Sequence, residues 1–107
     1  MPNELQPVVQ DLLGAANKGD TAGFLATFTE DGVVDDWGRE FQGADAIEGW
    51  SDGEFIGKQV SLTVRDAEQR GSETVITALV GGAGFNGPSH FTFQVSNDRV
   101  TRMTIRE

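Results

Sequence analysis

The stretch GVVDDWGREFQG, residues 32 to 43, decides how this chain is read. Val33, Val34 and Trp37 suit a pleated, half-buried surface, so a β-strand is expected there. Two adjacent acids, Asp35 and Asp36, interrupt it. Successive strand side chains point to opposite faces, which sends one carboxylate with Val33 and Trp37 and the other with Val34. Only one face can be solvent, so one acid must be aimed into the protein.

Upstream, Leu5, Val9, Leu12, Leu13 and Ala16 recur at helical spacing and predict an amphipathic helix with Pro7 in its opening turn. NKGD ends it, with Gly19 in the left-handed closing position and Asp20 capping a second helix. That second helix is expected to carry Phe24, Leu25 and Phe28 and to stop near Gly32. Downstream, GADAIEGW predicts a third helix, with Ile47 and Trp50 three apart, broken by Asp52 and Gly53. From residue 59 the period becomes two. Val60, Leu62 and Val64 alternate with polar residues, then TVITALV, HFTFQV and VTRMTIRE follow, separated by turns. Helices first and a long antiparallel meander last is the order of an α+β fold with helices packed on one face.

Composition narrows the function. The 107 residues fit one domain, 1–107, with a real core. A net charge of −9 repels a phosphate backbone and an anionic membrane, so neither nucleic acid nor a membrane is an expected partner. The absence of cysteine excludes disulfides, thiol chemistry and cysteine zinc sites. His90 is the sole histidine, so no histidine cluster for a metal exists. The first twenty residues lack a basic segment and an apolar signal core, which makes a cytoplasmic location the expectation. Residues 82 to 87, GAGFNG, match G-x-G-x-x-G, but a dinucleotide site needs a helix next. Pro88 and a strand follow instead, so the glycines read as a hairpin connection and no cofactor is expected. Phe85, at its tip, is placed either over a pocket mouth or against a partner subunit.

The order helix, NKGD, helix, F-x-x-D, a strand with acids, FQGADAI and a four-strand meander resembles the nuclear transport factor 2-like superfamily over nearly the whole chain. Within it the likeness is greatest to the SnoaL-like and ketosteroid isomerase-like branch. The resemblance implies three N-terminal helices on a curved, mostly antiparallel sheet of cystatin-like type, forming a cone-shaped apolar pocket. It also implies a homodimer and a small hydrophobic ligand. Isomerase-like members place a catalytic aspartate where this chain has Asp36. Parity agrees, since Asp36 shares its face with Val34 while Asp35 points outward.

The resemblance is incomplete at the chemistry. Ketosteroid isomerases pair an aspartate base with an oxyanion hole made of a tyrosine and a protonated aspartate. This chain has no tyrosine; Leu12 stands at that position and Ser89 at the position of the second acid. One lost oxyanion donor costs roughly a hundredfold or more in rate, so standard steroid isomerisation is not expected. His90 suits proton transfer by its chemistry, but parity places it with Thr92 and Gln94, opposite Phe91 and Phe93. Leu12, Phe28, Val34, Trp50, Phe91, Phe93 and Met103 are the expected pocket lining, Met103 because it matches a pocket methionine of isomerase-like members. Trp37 is expected either under a helix or in a dimer contact, Arg39 and Glu40 as an exposed pair, and Glu54 with the other helical acids on a solvated face.

Two functions remain open. One is a protein that binds a small hydrophobic molecule, with isomerase-, cyclase- or dehydratase-type proton transfer at Asp36 and Ser89 or Asn86 in place of the missing donor. The other is a non-catalytic dimeric module for a ligand or a protein. In that case Asp36 is a polar strand-end residue accepting backbone hydrogen bonds.

Overall fold

The first helix, α1 (Pro7–Lys18), puts its proline in the first turn and buries Val8, Val9, Leu12, Leu13, Ala15 and Ala16. It closes on Gly19, whose φ of 73° lets the amide of Asp20 reach the carbonyl of Ala15 at 2.8 Å. The Asp20 carboxylate then accepts the amide of Gly23 at 2.9 Å and starts α2. In this computed structural model, which describes residues 5–84 and 86–106, α2 covers only Thr21–Ala26. The expected longer helix is therefore corrected: Phe28 opens β1 (Phe28–Asp36). The Phe24–Phe28 spacing fits one helix face, yet the two rings meet edge to face at 5.3 Å across the helix–strand junction. Gly32 is not a helix stop either. A Cβ there would press on the Phe28 ring at 3.0 Å, so its role is to let that ring lie against the strand.

β2 (Arg39–Gln42) turns back on β1, and α3 (Ala44–Glu54) follows, running through Asp52 and Gly53 rather than breaking at them. Burial of Ile47 and Trp50 holds that helix on the sheet, so two solvent-side breakers do not end it. A short 3₁₀ turn (Ile56–Lys58) leads into β3 (Ser61–Arg70), β4 (Glu73–Gly81), β5 (Gly87–Ser96) and β6 (Arg99–Arg106). The six strands form one sheet in the order β2-β1-β6-β5-β4-β3. β1 runs parallel to β6, and all other neighbours are antiparallel.

The helices cover one face of this curved mixed sheet. Val34, Val60, Leu62, Ile76, Ala78, Phe91, Phe93, Val100 and Met103 form the core there with the apolar side of α1. Val64 keeps the expected face, in register with buried Ala78, but is exposed on edge strand β3; the register shifts only after it, between Val64 and Asp66. Asn17 ties α1 to edge strand β3: its amide donates to the Leu62 carbonyl at 3.1 Å and accepts the Leu62 amide at 2.6 Å. Among the described residues, no helix is long and apolar enough to cross a membrane. Phe85 lies outside the described residues.

Candidate functional site

The two aspartates divide as the strand period requires, but the outward one is the more buried. Asp35 lies on the face away from the helices, and its side chain is 8% exposed. It accepts Arg102 at 2.7 Å, Arg106 at 3.0 and 3.2 Å, and the amide of Gly38 at 2.8 Å. These hydrogen bonds, led by that of Arg106 and opposed by burial, hold its pKa at about 2 instead of 3.8. Arg102 is shared with Glu40 at 2.6 Å. Asp35 is thus the anchor that fixes the β1–β2 turn to strand β6.

That turn is a two-residue hairpin loop, Trp37–Gly38, with φ of 57° and 89°. Both values belong to the type I′ turn, which glycine, asparagine and aspartate adopt readily. The β5–β6 hairpin uses Asn97 and Asp98 in the same way, at φ of 51° and 62°. A tryptophan in the left-handed region carries a strain on the order of 1 kcal/mol. Strand parity fails for Trp37 because it belongs to the turn and not to the strand.

On the helix-covered face, a cavity of about 390 Å³ opens between the end of α3, the 3₁₀ turn and the ends of the strands. Its apolar wall is Trp50, Phe55, Val60, Val80, Phe91 and Ile105. Its polar wall is Asp36, Glu54, Lys58 and Ser89, with Trp37 at the mouth. The Asp36 side chain is 15% exposed. The Trp50 indole donates to its Oδ2 at 3.0 Å, and Arg39 reaches the same oxygen at 2.5 Å. Among the described residues nothing bonds to Oδ1. Arg39 also grips Glu54 through both oxygens, at 2.7 and 3.0 Å, and holds that carboxyl below its usual range. The Ser89 residue is 3% exposed, and its hydroxyl has no hydrogen-bond partner among the described residues. Because Ser89 lines the cavity wall, its hydroxyl is available to a ligand there.

Several expectations are corrected here. Of the expected lining, Trp50 and Phe91 face the cavity, with Asp36 and Ser89. Leu12, Phe28, Val34, Phe93 and Met103 are buried but do not line it. They share its face, but α1 and α2 press on that part of the sheet and leave solid core. Arg39 and Glu40 are both exposed but do not pair with each other: alternation along β2 sends Arg39 to Asp36 and Glu54 and Glu40 to Arg102. Glu54 leaves the solvated helix face for the cavity mouth. His90 is exposed on the outer face, paired in register with Thr77 and Arg106. Glu54 and Lys58 were missed because only the end of α3 and the turn after it carry them to the sheet. The Asp36–Arg39 contact did have a signal, since two strand residues flanking a two-residue turn face each other. Among the described residues, no three His, Asp or Glu side chains gather as a metal site needs.

Comparison with known proteins supplies the family. No curated protein sequence matches the chain. Solved structures match it closely in fold. A candidate polyketide cyclase from Sinorhizobium meliloti is 24% identical, with TM-score 0.84 and 95% of each chain covered. A protein of ketosteroid isomerase-like fold from Catenulispora acidiphila, solved with trimethylamine, is 20% identical. Its TM-score is 0.83, with 97% of this chain and 87% of that one covered. A Mycobacterium tuberculosis protein solved with estradiol-17β-hemisuccinate is 18% identical, with TM-score 0.80 and 92% and 88% covered. The family model of the SnoaL-like domain matches residues 9–103, and the chain therefore belongs to the SnoaL-like family within the nuclear transport factor 2-like superfamily.

Proposed function

We propose that this protein binds a small, largely apolar molecule in the cavity below Trp37 and moves a proton on it with Asp36. The observation that carries the reading is the pairing of a half-engaged carboxylate with the Ser89 hydroxyl, which makes no hydrogen bond among the described residues, in one cavity wall. Oδ2 of Asp36 is held by Trp50 and Arg39, which orients Oδ1 as the free base. Ser89 is the donor for a ligand carbonyl. In the step, Oδ1 takes a proton from a carbon next to that carbonyl. The electron pair passes to the carbonyl oxygen as an enolate, and reprotonation completes an isomerase- or cyclase-type rearrangement. A single neutral hydroxyl is a weak oxyanion donor, so the expected rates lie well below those of a complete oxyanion hole. The cavity volume of about 390 Å³ sits at the low end of small-molecule sites, about 300–1,000 Å³. The steroid ester and the trimethylamine in the solved relatives support a small ligand.

The test uses 2-tetralone in heavy water, with hydrogen–deuterium exchange next to its carbonyl followed by NMR. Wild type is expected to accelerate exchange over buffer, and Asp36→Asn to lose on the order of a hundredfold of that acceleration. Equal rates for the two proteins would remove the base role and leave binding standing.

We also propose a homodimer through the outer sheet face. Half-buried Val33, Val75, Thr77, Thr92 and Thr104, with Leu79 at 40% exposure, form its centre. A face of this composition, flanked by the Asp35–Arg102–Arg106 cluster, suits a second copy related by a two-fold axis.

A further inference from the structure

We infer that Trp37 is an aromatic plate, carried on a turn whose backbone is fixed within the chain, and that it selects flat conjugated rings over saturated ones. The inference rests on the ligand-binding reading of the cavity. Trp37 lines the cavity mouth, yet it is 54% exposed. Among the described residues its ring stacks on no other ring and its indole N–H has no acceptor. Trp50 is the opposite case: 4% exposed, stacked on Phe55 at 4.8 Å and bonded to Asp36. For Trp37 the chain accepts a large exposed apolar surface and a left-handed backbone, at a turn where asparagine would sit without strain. Among the described residues, no ring contact or indole hydrogen bond offsets either feature.

The turn is nevertheless held firmly. The Trp37 amide donates to the carbonyl of Ile105 at 3.2 Å, and Asp35 takes the Gly38 amide while gripped by Arg102 and Arg106. Asp35 thus works for the cavity from the far side of the sheet: it fixes the plate whose inner neighbour, Asp36, faces the ligand. The same cavity is lined by the ring of Phe91 and the stacked Trp50–Phe55 pair. A flat ring in this cavity can stack on π-surface from several of its walls, and a rigid indole loses little ordering entropy in the contact. A puckered saturated ring of the same size fills the space without that stacking.

The test compares 2-naphthol with its saturated counterpart, trans-decahydro-2-naphthol, by calorimetric titration of wild type, Trp37→Asn and Trp37→Phe. Asparagine relieves the turn, so the melting temperature of Trp37→Asn is expected at or above that of wild type, which rules out loss of fold. Its affinity for 2-naphthol is expected to fall about tenfold, that for the saturated alcohol less than about twofold, and Trp37→Phe to recover most of the loss. Unchanged 2-naphthol binding by Trp37→Asn, or equal loss for both alcohols, overturns the plate while the cavity reading stands. Failure of wild type to bind either alcohol overturns both.

Discussion

Replacing Asp35 by asparagine removes a negative charge from beneath two guanidinium groups but keeps a carbonyl oxygen for the Gly38 amide. The folded protein holds this carboxyl at about 2, against 3.8 for an unperturbed aspartate. A shift of nearly two units corresponds to roughly 2.5 kcal/mol at about 1.36 kcal/mol per unit. The arginines are themselves 30% and 45% exposed, so solvent screening reduces the useful part to about 1–2 kcal/mol. Because the folded value is the lower one, the contribution is complete above the unfolded pKa. It is lost as pH falls through the window between 3.8 and about 2. Urea unfolding of wild type and Asp35→Asn at a series of pH values reads it directly. At neutral pH the variant is expected to be about 1–2 kcal/mol less stable, and the gap to close across that acid window. A gap that stays constant with pH, or no gap at neutral pH, would refute the assignment of Asp35 as the charged anchor of the turn.

Other variants probe other joints. Asn17→Ala leaves both the amide and the carbonyl of Leu62 without their side-chain partner and is expected to cost about 1–3 kcal/mol in urea unfolding. Trp50→Phe keeps a ring against Phe55 but loses the donor to Asp36 Oδ2. Its tetralone exchange rate is expected to fall about tenfold, with stability changed by less than about 1.5 kcal/mol. Val75→Glu puts a charge at the centre of the outer face, and light scattering at micromolar concentration is expected to return one chain's mass for it and two for wild type. A single mass for both proteins would remove the dimer.

Much of this architecture is legible from short-range pattern. The opposite faces of Asp35 and Asp36 follow from a period of two, and the Gly19 closure and Asp20 cap follow from residue chemistry. What pattern misses is decided by partners distant in sequence. Phe28 is compatible with a helix face and with a strand, and only pairing with β6 settles it. Parity assigns Val34, Phe93 and Met103 to the inner face, but which inner-face residues reach the cavity depends on where α1 and α2 press. Glu54 and Lys58 reach the cavity because α3 runs through Asp52 and Gly53 to end at Glu54 and a 3₁₀ turn, Ile56–Lys58, follows it. Trp37 has the hydrophobicity of a strand residue and the backbone of an asparagine in a turn.

The central claim is that a ligand enters the cavity between Trp37 and Trp50 and meets Asp36. The chain has two tryptophans, so its nitrogen-15 NMR spectrum offers two indole signals, one at the mouth and one on the carboxylate. Titration with 2-naphthol is expected to move both signals along one saturable curve, and plugging the wall with Ser89→Phe to abolish both shifts. Indole signals that stay put, or shifts that persist in the plugged variant, would contradict the account.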